Sequence, residues 1–204
     1  ITSTVRASQE SGFSIVKYND SGTSQQSVGH GLNAAPSLII TKELSNSNDW
    51  IVYTTVIDGS MDFLRLNTTA TASGSSLTVP TTNFIYSRGS SSAIINYCFA
   101  NVDGYQRIGS YVGNGSANGP FVYTGFEPAW VMIKNISDTG SWIIHDNKRN
   151  TENPRSKHLR ANTSATEDTG ANEYVNFYNN GFQLTGTGQN INHSHGDTYL
   201  FMAI

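Results

Sequence analysis

His193-Ser-His195-Gly-Asp197 places two imidazoles and a carboxylate within five residues. These are metal-ligand types, and on a strand His-X-His would turn both rings to one face because side chains alternate. A tetrahedral site would still need a third and a fourth ligand. The competing reading is a polar turn ahead of the last strand. No metal or other cofactor is expected, and His193 and His195 are the only metal candidates. Among the carboxylates, Asp58, Asp146 and the Glu167-Asp168 pair are the groups to weigh for acid–base work. Glycoside hydrolysis needs two carboxyl groups flanking the scissile bond, and no spacing here sets up such a pair. No serine lies in Gly-X-Ser-X-Gly. The stretch Gly109–Gly119 lacks a Lys after its glycines and follows no βαβ pattern, so it is not a phosphate loop. The expectation is a protein that is not an enzyme.

Ligand recognition is the chemistry the remaining residues allow. Trp50 and Trp142 each open an expected strand just after an Asn/Asp/Ser/Gly turn. Buried, each would anchor a core. Exposed, an indole would stack on the C–H face of a sugar while nearby amides and carboxylates bonded its hydroxyls. Tyr53 and His145 are counterparts that differ, as binding positions often do. With Asp138, Asn147 and Arg149 from adjacent polar loops, the candidate ligand set is Trp50, Tyr53, Asp138, Trp142, His145, Asn147 and Arg149. The loops expected to carry it are 46–49, 138–141 and 147–156. The polar segment from Asp146 to Asn162 is the leading candidate for an exposed functional loop.

These residues can be called counterparts because the chain is written twice. Pro36-Ser-Leu-Ile-Ile-Thr-Lys42 leads to Trp50-Ile-Val-Tyr53, and Pro128-Ala-Trp-Val-Met-Ile-Lys134 leads to Trp142-Ile-Ile-His145. Leu64-Arg-Leu-Asn67-Thr-Thr-Ala-Thr71 answers Leu159-Arg-Ala-Asn162-Thr-Ser-Ala-Thr166, and Tyr97-Cys-Phe99 answers Tyr199-Leu-Phe201. A repeat decides the architecture, so it is read first. Arg65 and Arg160 correspond as well, which suits an Arg that caps loop carbonyls or pairs with an acid across a sheet.

Helical periodicity is nearly absent. Short β-branched and aromatic runs separated by Gly/Ser/Asn/Asp clusters read as an all-β chain. Strands are expected at 12–18, 37–44, 50–56, 63–66, 84–86 and 93–100, and again at 105–112, 120–123, 129–136, 142–146, 173–178, 181–184 and 198–203. The fold expected is an internally duplicated antiparallel β-sandwich, jelly-roll or lectin-like. Residues 1–11 would connect to the rest of a parent protein. Residues 12–103 would form the first repeat and 104–204 the second, packed together as one unit. The termini read like the interior of a longer protein.

Charged residues make up 13% of the 204 residues, with a net charge of −3, against a usual share of about 25%. No Lys/Arg run exists, so the electrostatic footprint of nucleic-acid binding is missing. No apolar run is long enough for a helical membrane span. The lone Cys98 lies in an apolar strand pattern and reads as a small buried hydrophobe.

One further pattern carries a resemblance. Gly12-Phe-Ser-Ile-Val-Lys-Tyr18 with Gly22-Thr, Val28-Gly-His-Gly-Leu32 with Pro36, and Tyr97-Cys-Phe-Ala100 come first. Gly109-Ser-Tyr-Val-Gly-Asn-Gly-Ser116 then runs on to Gly119-Pro-Phe-Val-Tyr-Thr-Gly-Phe126-Glu-Pro-Ala. Together they resemble the duplicated β-sandwich domain of tailed-phage virion proteins, tail fibres among them, common in marine and environmental phages. The resemblance implies a virion location and exposure outside the cell. Its partners would be host cell-surface polysaccharide or another receptor, other virion proteins, and two further copies in a homotrimer. It supplies no catalytic residues. A spacer or decoration domain is the alternative role, and a polysaccharide depolymerase a more distant one.

Overall fold

A computed structural model describes residues 1–170 and 172–204 of the chain. Every regular element among them is a strand or an isolated bridge, and every paired strand is antiparallel. Two compact units form. Unit 1 comprises Ile1–Arg65 and Ala72–Val102, and unit 2 comprises Leu66–Thr71 and Asp103–Ile204.

Unit 1 holds β1 (Ser3–Ser8), β2 (Phe13–Asn19), β3 (Ser24–Gly29), β4 (Leu38–Glu43), β5 (Ile51–Thr54), β6 (Asp62–Arg65), β7 (Ser73–Gly74), β8 (Phe84–Arg88) and β9 (Ala93–Phe99). Its large sheet runs β1-β2-β9-β4-β5-β6-β7, and β3 pairs with β8 in a small second sheet. Val16, Ile39, Ile94 and Cys98 from the large sheet meet Val28 and Ile85 from the small one in a buried cluster. Cys98 is fully buried, which pushes its thiol up to about 12.

Unit 2 holds β10 (Arg107–Val112), β11 (Phe121–Tyr123), β12 (Trp130–Asn135), β13 (Ile143–Asp146), β14 (Leu159–Arg160), β15 (Val175–Tyr178), β16 (Gly181–Leu184) and β17 (Thr198–Ala203). The main sheet runs β10-β17-β12-β13-β14, and the second runs β11-β16-β15. Val131, Ile133, Ile143, Tyr199 and Phe201 from the main sheet share a core with Val122, Val175, Phe177, Phe182 and Leu184 from the other. Each unit is therefore a sandwich with its own core, because alternation gives each sheet one apolar face to bury.

The duplication is visible in topology and in register. The order β2-β9-β4-β5-β6 recurs as β10-β17-β12-β13-β14. Leu38 faces Thr54 and Trp130 faces Asp146, while Ile39 faces Tyr53 and Val131 faces His145. Arg65 and Arg160 likewise sit opposite Ile51 and Ile143. The equivalences drawn from the repeat thus hold residue for residue along these strands.

Two features add to the expected division. Within residues 1–11, β1 pairs with β2 along its whole length. The repeat boundary also differs from the packing boundary, because Leu66–Thr71 from the first copy belong to unit 2. There the buried Lys134 donates from Nζ to the Thr69 carbonyl at 3.3 Å, and the Gly140 amide donates to the same oxygen at 2.9 Å.

Candidate functional site

The hairpin between β12 and β13 borders an open polar depression in unit 2. Its tip, Thr139-Gly140-Ser141, contributes to the lining. Gly140 leaves room there for a close approach, since a Cβ would stand 2.8 Å from Asn190 Oδ1. That oxygen accepts the Ser141 amide at 2.6 Å, and Asn162 Nδ2 donates to Ser141 Oγ at 3.3 Å. Thr69, Arg160, Thr163, Ala165, Gln189 and Asn190 complete the lining. The groove encloses about 410 Å³, within the ~300–1,000 Å³ range of small-molecule sites.

Fixed amides hold this groove in shape. Asn135 Nδ2 donates to the Gln189 carbonyl at 3.2 Å, and Gln189 Nε2 donates to the Thr139 carbonyl at 3.2 Å. Asn190 Nδ2 donates to Glu173 Oε1 at 2.6 Å. Glu173 is fully buried and its Oε2 has no hydrogen-bond partner. Desolvation raises its carboxyl to about 7, against the lowering effect of the Asn190 hydrogen bonds. Arg160 Nη2 lies 2.7 Å from Asp168 Oδ2. The groove thus presents hydroxyls, amides and one charge-balanced guanidinium, a set suited to a neutral, hydroxyl-rich ligand.

The seven predicted ligand residues do not converge. Trp142 is 1% exposed, so it anchors unit 2 and cannot stack on a sugar; that assignment is corrected. His145 is also fully buried, with its ring 5.6 Å from that of His158, and it too is removed from the ligand set. His145 lies with Ile143 on the face of β13 that turns to the core, and Trp142 immediately precedes that strand. Burial pushes His145 down to about 3, and the neighbouring His158 adds to the shift. Its ring nitrogens lack a hydrogen bond of good geometry, the Lys157 backbone offering only a partial one.

The others are accessible but scattered. Trp50 is 36% exposed and stacks on Tyr97 at 6.4 Å. Tyr53 is half-buried and, with Phe63, Arg65 and Arg88, borders a smaller depression of about 220 Å³ in unit 1. Asp138 is exposed but lies just outside the groove lining, its Oδ1 accepting the Thr139 amide at 2.6 Å. Asn147 is half-buried, and its backbone amide donates to the Ala129 carbonyl at 2.9 Å. Arg149 pairs with Asp146 at 2.8 Å and Glu167 at 3.0 Å. Of the three expected binding loops, only 138–141 contributes to the groove.

The 146–162 segment is anchored rather than free. Arg155 is buried with its guanidinium 4.6 Å from the centre of the Phe177 ring, and the Asn150 side chain accepts the amides of Ser156 and Lys157. His193 and His195 are exposed in the turn before β17 rather than on a strand. Among the described residues, no group of three or more His, Cys, Asp or Glu could hold a metal ion. Arg65 pairs with Asp49 at 2.9 Å, matching the acid-pairing role read for both duplicated arginines.

Sequence reasoning missed Thr69, Gln189, Asn190 and the buried Glu173. Only the Asn-Thr-(Thr/Ser)-Ala-Thr repeat hinted at the site, since Thr69 and Ala165 both come from its two copies. The enclosed cavity in unit 1 among Tyr18, Ile39 and Tyr53 holds about 20 Å³, room for one water and no ligand.

No curated protein and no solved structure matches this sequence. One family spans the whole chain, residues 1–204. The chain belongs to that family, described as a domain of unknown function (DUF7483).

Proposed function

We propose that this chain is a non-catalytic recognition module of a phage virion, carried on a tail fibre or another surface structure, that binds host-surface glycan in the unit 2 groove. One observation carries the binding reading: a groove of about 410 Å³ lined by threonine and serine hydroxyls, side-chain amides and a charge-balanced arginine. Such groups offer donors and acceptors in several directions, as a polyhydroxylated ligand requires. The rigid amide network beneath them lowers the ordering cost of binding. The virion location and the homotrimer rest on the sequence resemblance.

The depolymerase reading is weaker. Asp168 is tied to Arg160, and the unpartnered oxygen of Glu173 is sealed from solvent. Neither carboxyl is presented to a glycosidic bond.

The test is an array of bacterial lipopolysaccharides and capsular polysaccharides, probed with the intact chain and with a Gln189→Ala/Thr163→Ala variant. Both substituted side chains are exposed, so the fold should survive. Specific binding that the double variant loses supports the reading. A folded chain that binds none of the panel favours a spacer or decoration role.

A further inference from the structure

Unit 2 carries a second ordered surface, which shares no residue with the groove. In the β11-β16-β15 sheet, Val122, Phe182, Val175, Phe177 and Leu184 point into the core. Alternation turns Phe121, Tyr123, Gly181, Gln183, Asn176 and Tyr178 to the other face. Three of these are aromatic and well exposed: Phe121 at 47%, Tyr123 at 68% and Tyr178 at 40%. Scattered exposed apolar residues need no explanation, whereas neighbouring ones on one face do.

The face is built around Gly181. This residue pairs with Tyr123 on one side and Tyr178 on the other. A Cβ there would fall 2.8 Å from the tip of the Phe121 ring and 2.2 Å from the Val122 carbonyl oxygen. The missing side chain lets the Phe121 ring lie over the middle strand, 6.1 Å from the Tyr178 ring. A line of neutral polar groups crosses the same face. Asn176 Nδ2 donates to Tyr178 Oη at 3.1 Å, and Tyr178 Oη donates to Gln183 Oε1 at 3.4 Å. Gln183 Nε2 in turn donates to Asn118 Oδ1 at 3.3 Å.

We propose that this face is a second saccharide-binding surface, on which a neutral pyranose lays its C–H face against Phe121, Tyr123 and Tyr178 while Asn176, Gln183 and Asn118 bond its hydroxyls. The proposal rests on the glycan-recognition reading and adds a site of different chemistry to it. Neutrality selects the occupant. No outward residue of these three strands is charged, so the face offers nothing to an anionic polymer. Rings bordered by amides and phenol hydroxyls match a ligand that is apolar on its face and polar all around its edge. Two sites on one unit would let a repeating polysaccharide bind bivalently, raising avidity through effective concentration.

The experiment uses the intact chain and a panel of neutral oligosaccharides: cellohexaose, maltohexaose, a mannohexaose and a galactan hexamer. Saturation-transfer NMR and isothermal titration are run on wild type, Tyr123→Ala/Tyr178→Ala, and the groove variant Gln189→Ala/Thr163→Ala. Irradiation of aromatic protons should transfer to sugar C–H protons in the wild type and the groove variant, and fall at least fivefold in the tyrosine variant. Unchanged thermal unfolding would show that the exposed tyrosines were removed without loss of fold. Binding that depends on the groove but not on the tyrosines overturns this proposal and leaves the groove reading standing. Absence of aromatic transfer across the panel overturns it as well. So does an oligomer in sedimentation that the tyrosine substitutions dissociate, since the face would then be a contact between copies.

Discussion

Replacing His145 with Phe should alter how unit 2 responds to acid, in a direction and size the structure fixes. His145 is buried and held down to about 3 by desolvation, so it stays neutral in the fold at pH 5. An unfolded histidine titrates near 6.5 and would be protonated at that pH. A group whose folded pKa is depressed contributes stability that is present above its unfolded value and is lost as pH falls. Between pH 7 and pH 5 the loss from His145 comes to about 2 kcal/mol. Glu173 works the other way. Raised to about 7 by burial, it contributes stability that is full below its unfolded value and is lost as pH rises through 7. Over the same window acidification restores about 2 kcal/mol.

The two contributions nearly cancel in the native chain, although His158, also lowered by burial, adds to the acid-labile side. Single substitutions separate them. Urea unfolding at pH 7 and pH 5, followed by far-ultraviolet circular dichroism, is the assay. His145→Phe should make the chain about 2 kcal/mol more acid-tolerant than wild type across that interval, and Glu173→Gln about 2 kcal/mol less so. Matching wild-type and His145→Phe profiles would refute the reasoning, because His145 would then titrate in the fold as it does unfolded.

Three other outcomes follow from packing. Trp142→Ala should cost about 3–5 kcal/mol, the range for emptying a buried aromatic site, whereas Trp50→Ala should cost under about 1 kcal/mol because its ring is partly in solvent; thermal and denaturant unfolding of both variants would check the contrast. Asn190→Ala removes the side-chain donor to Glu173 Oε1, leaving only the residue 190 backbone amide, and strips the Ser141 amide of its acceptor, so it should cost about 1–3 kcal/mol and speed hydrogen exchange at residues 140 and 141. Gly181→Ala drives a methyl into the Val122 carbonyl and should cost about 1–3 kcal/mol, with disturbed Phe121 and Tyr178 ring resonances in NMR.

Framework positions were legible in the sequence because the repeat supplied two readings of each. The runs at Leu38 and Val131 marked central strands, and their register agreed with the 92-residue offset between Pro36 and Pro128. Polar edges were not legible. Both β1, Ser-Thr-Val-Arg-Ala-Ser, and β3, Ser-Gln-Gln-Ser-Val-Gly, carry few apolar residues because one or both faces meet solvent. Trp142 and His145 misled for the opposite reason, since types often found in sugar sites are here fully enclosed. The groove depends on Thr69 crossing from the first copy's sequence into unit 2 and on Asn190 being gripped by a distant Glu173. Neither contact leaves a local pattern. The aromatic face did leave one, Phe121-Val122-Tyr123, whose alternation places Val122 inward and the two rings outward.

Backbone amide NMR of the intact chain, titrated with the glycan that scores highest on the array, tests the central claim most directly. The account predicts saturable shift changes concentrated at Thr69, Thr139–Ser141, Arg160, Thr163, Ala165 and Gln189–Asn190, all of which border the groove. Binding whose shift changes avoid every one of these residues would contradict it.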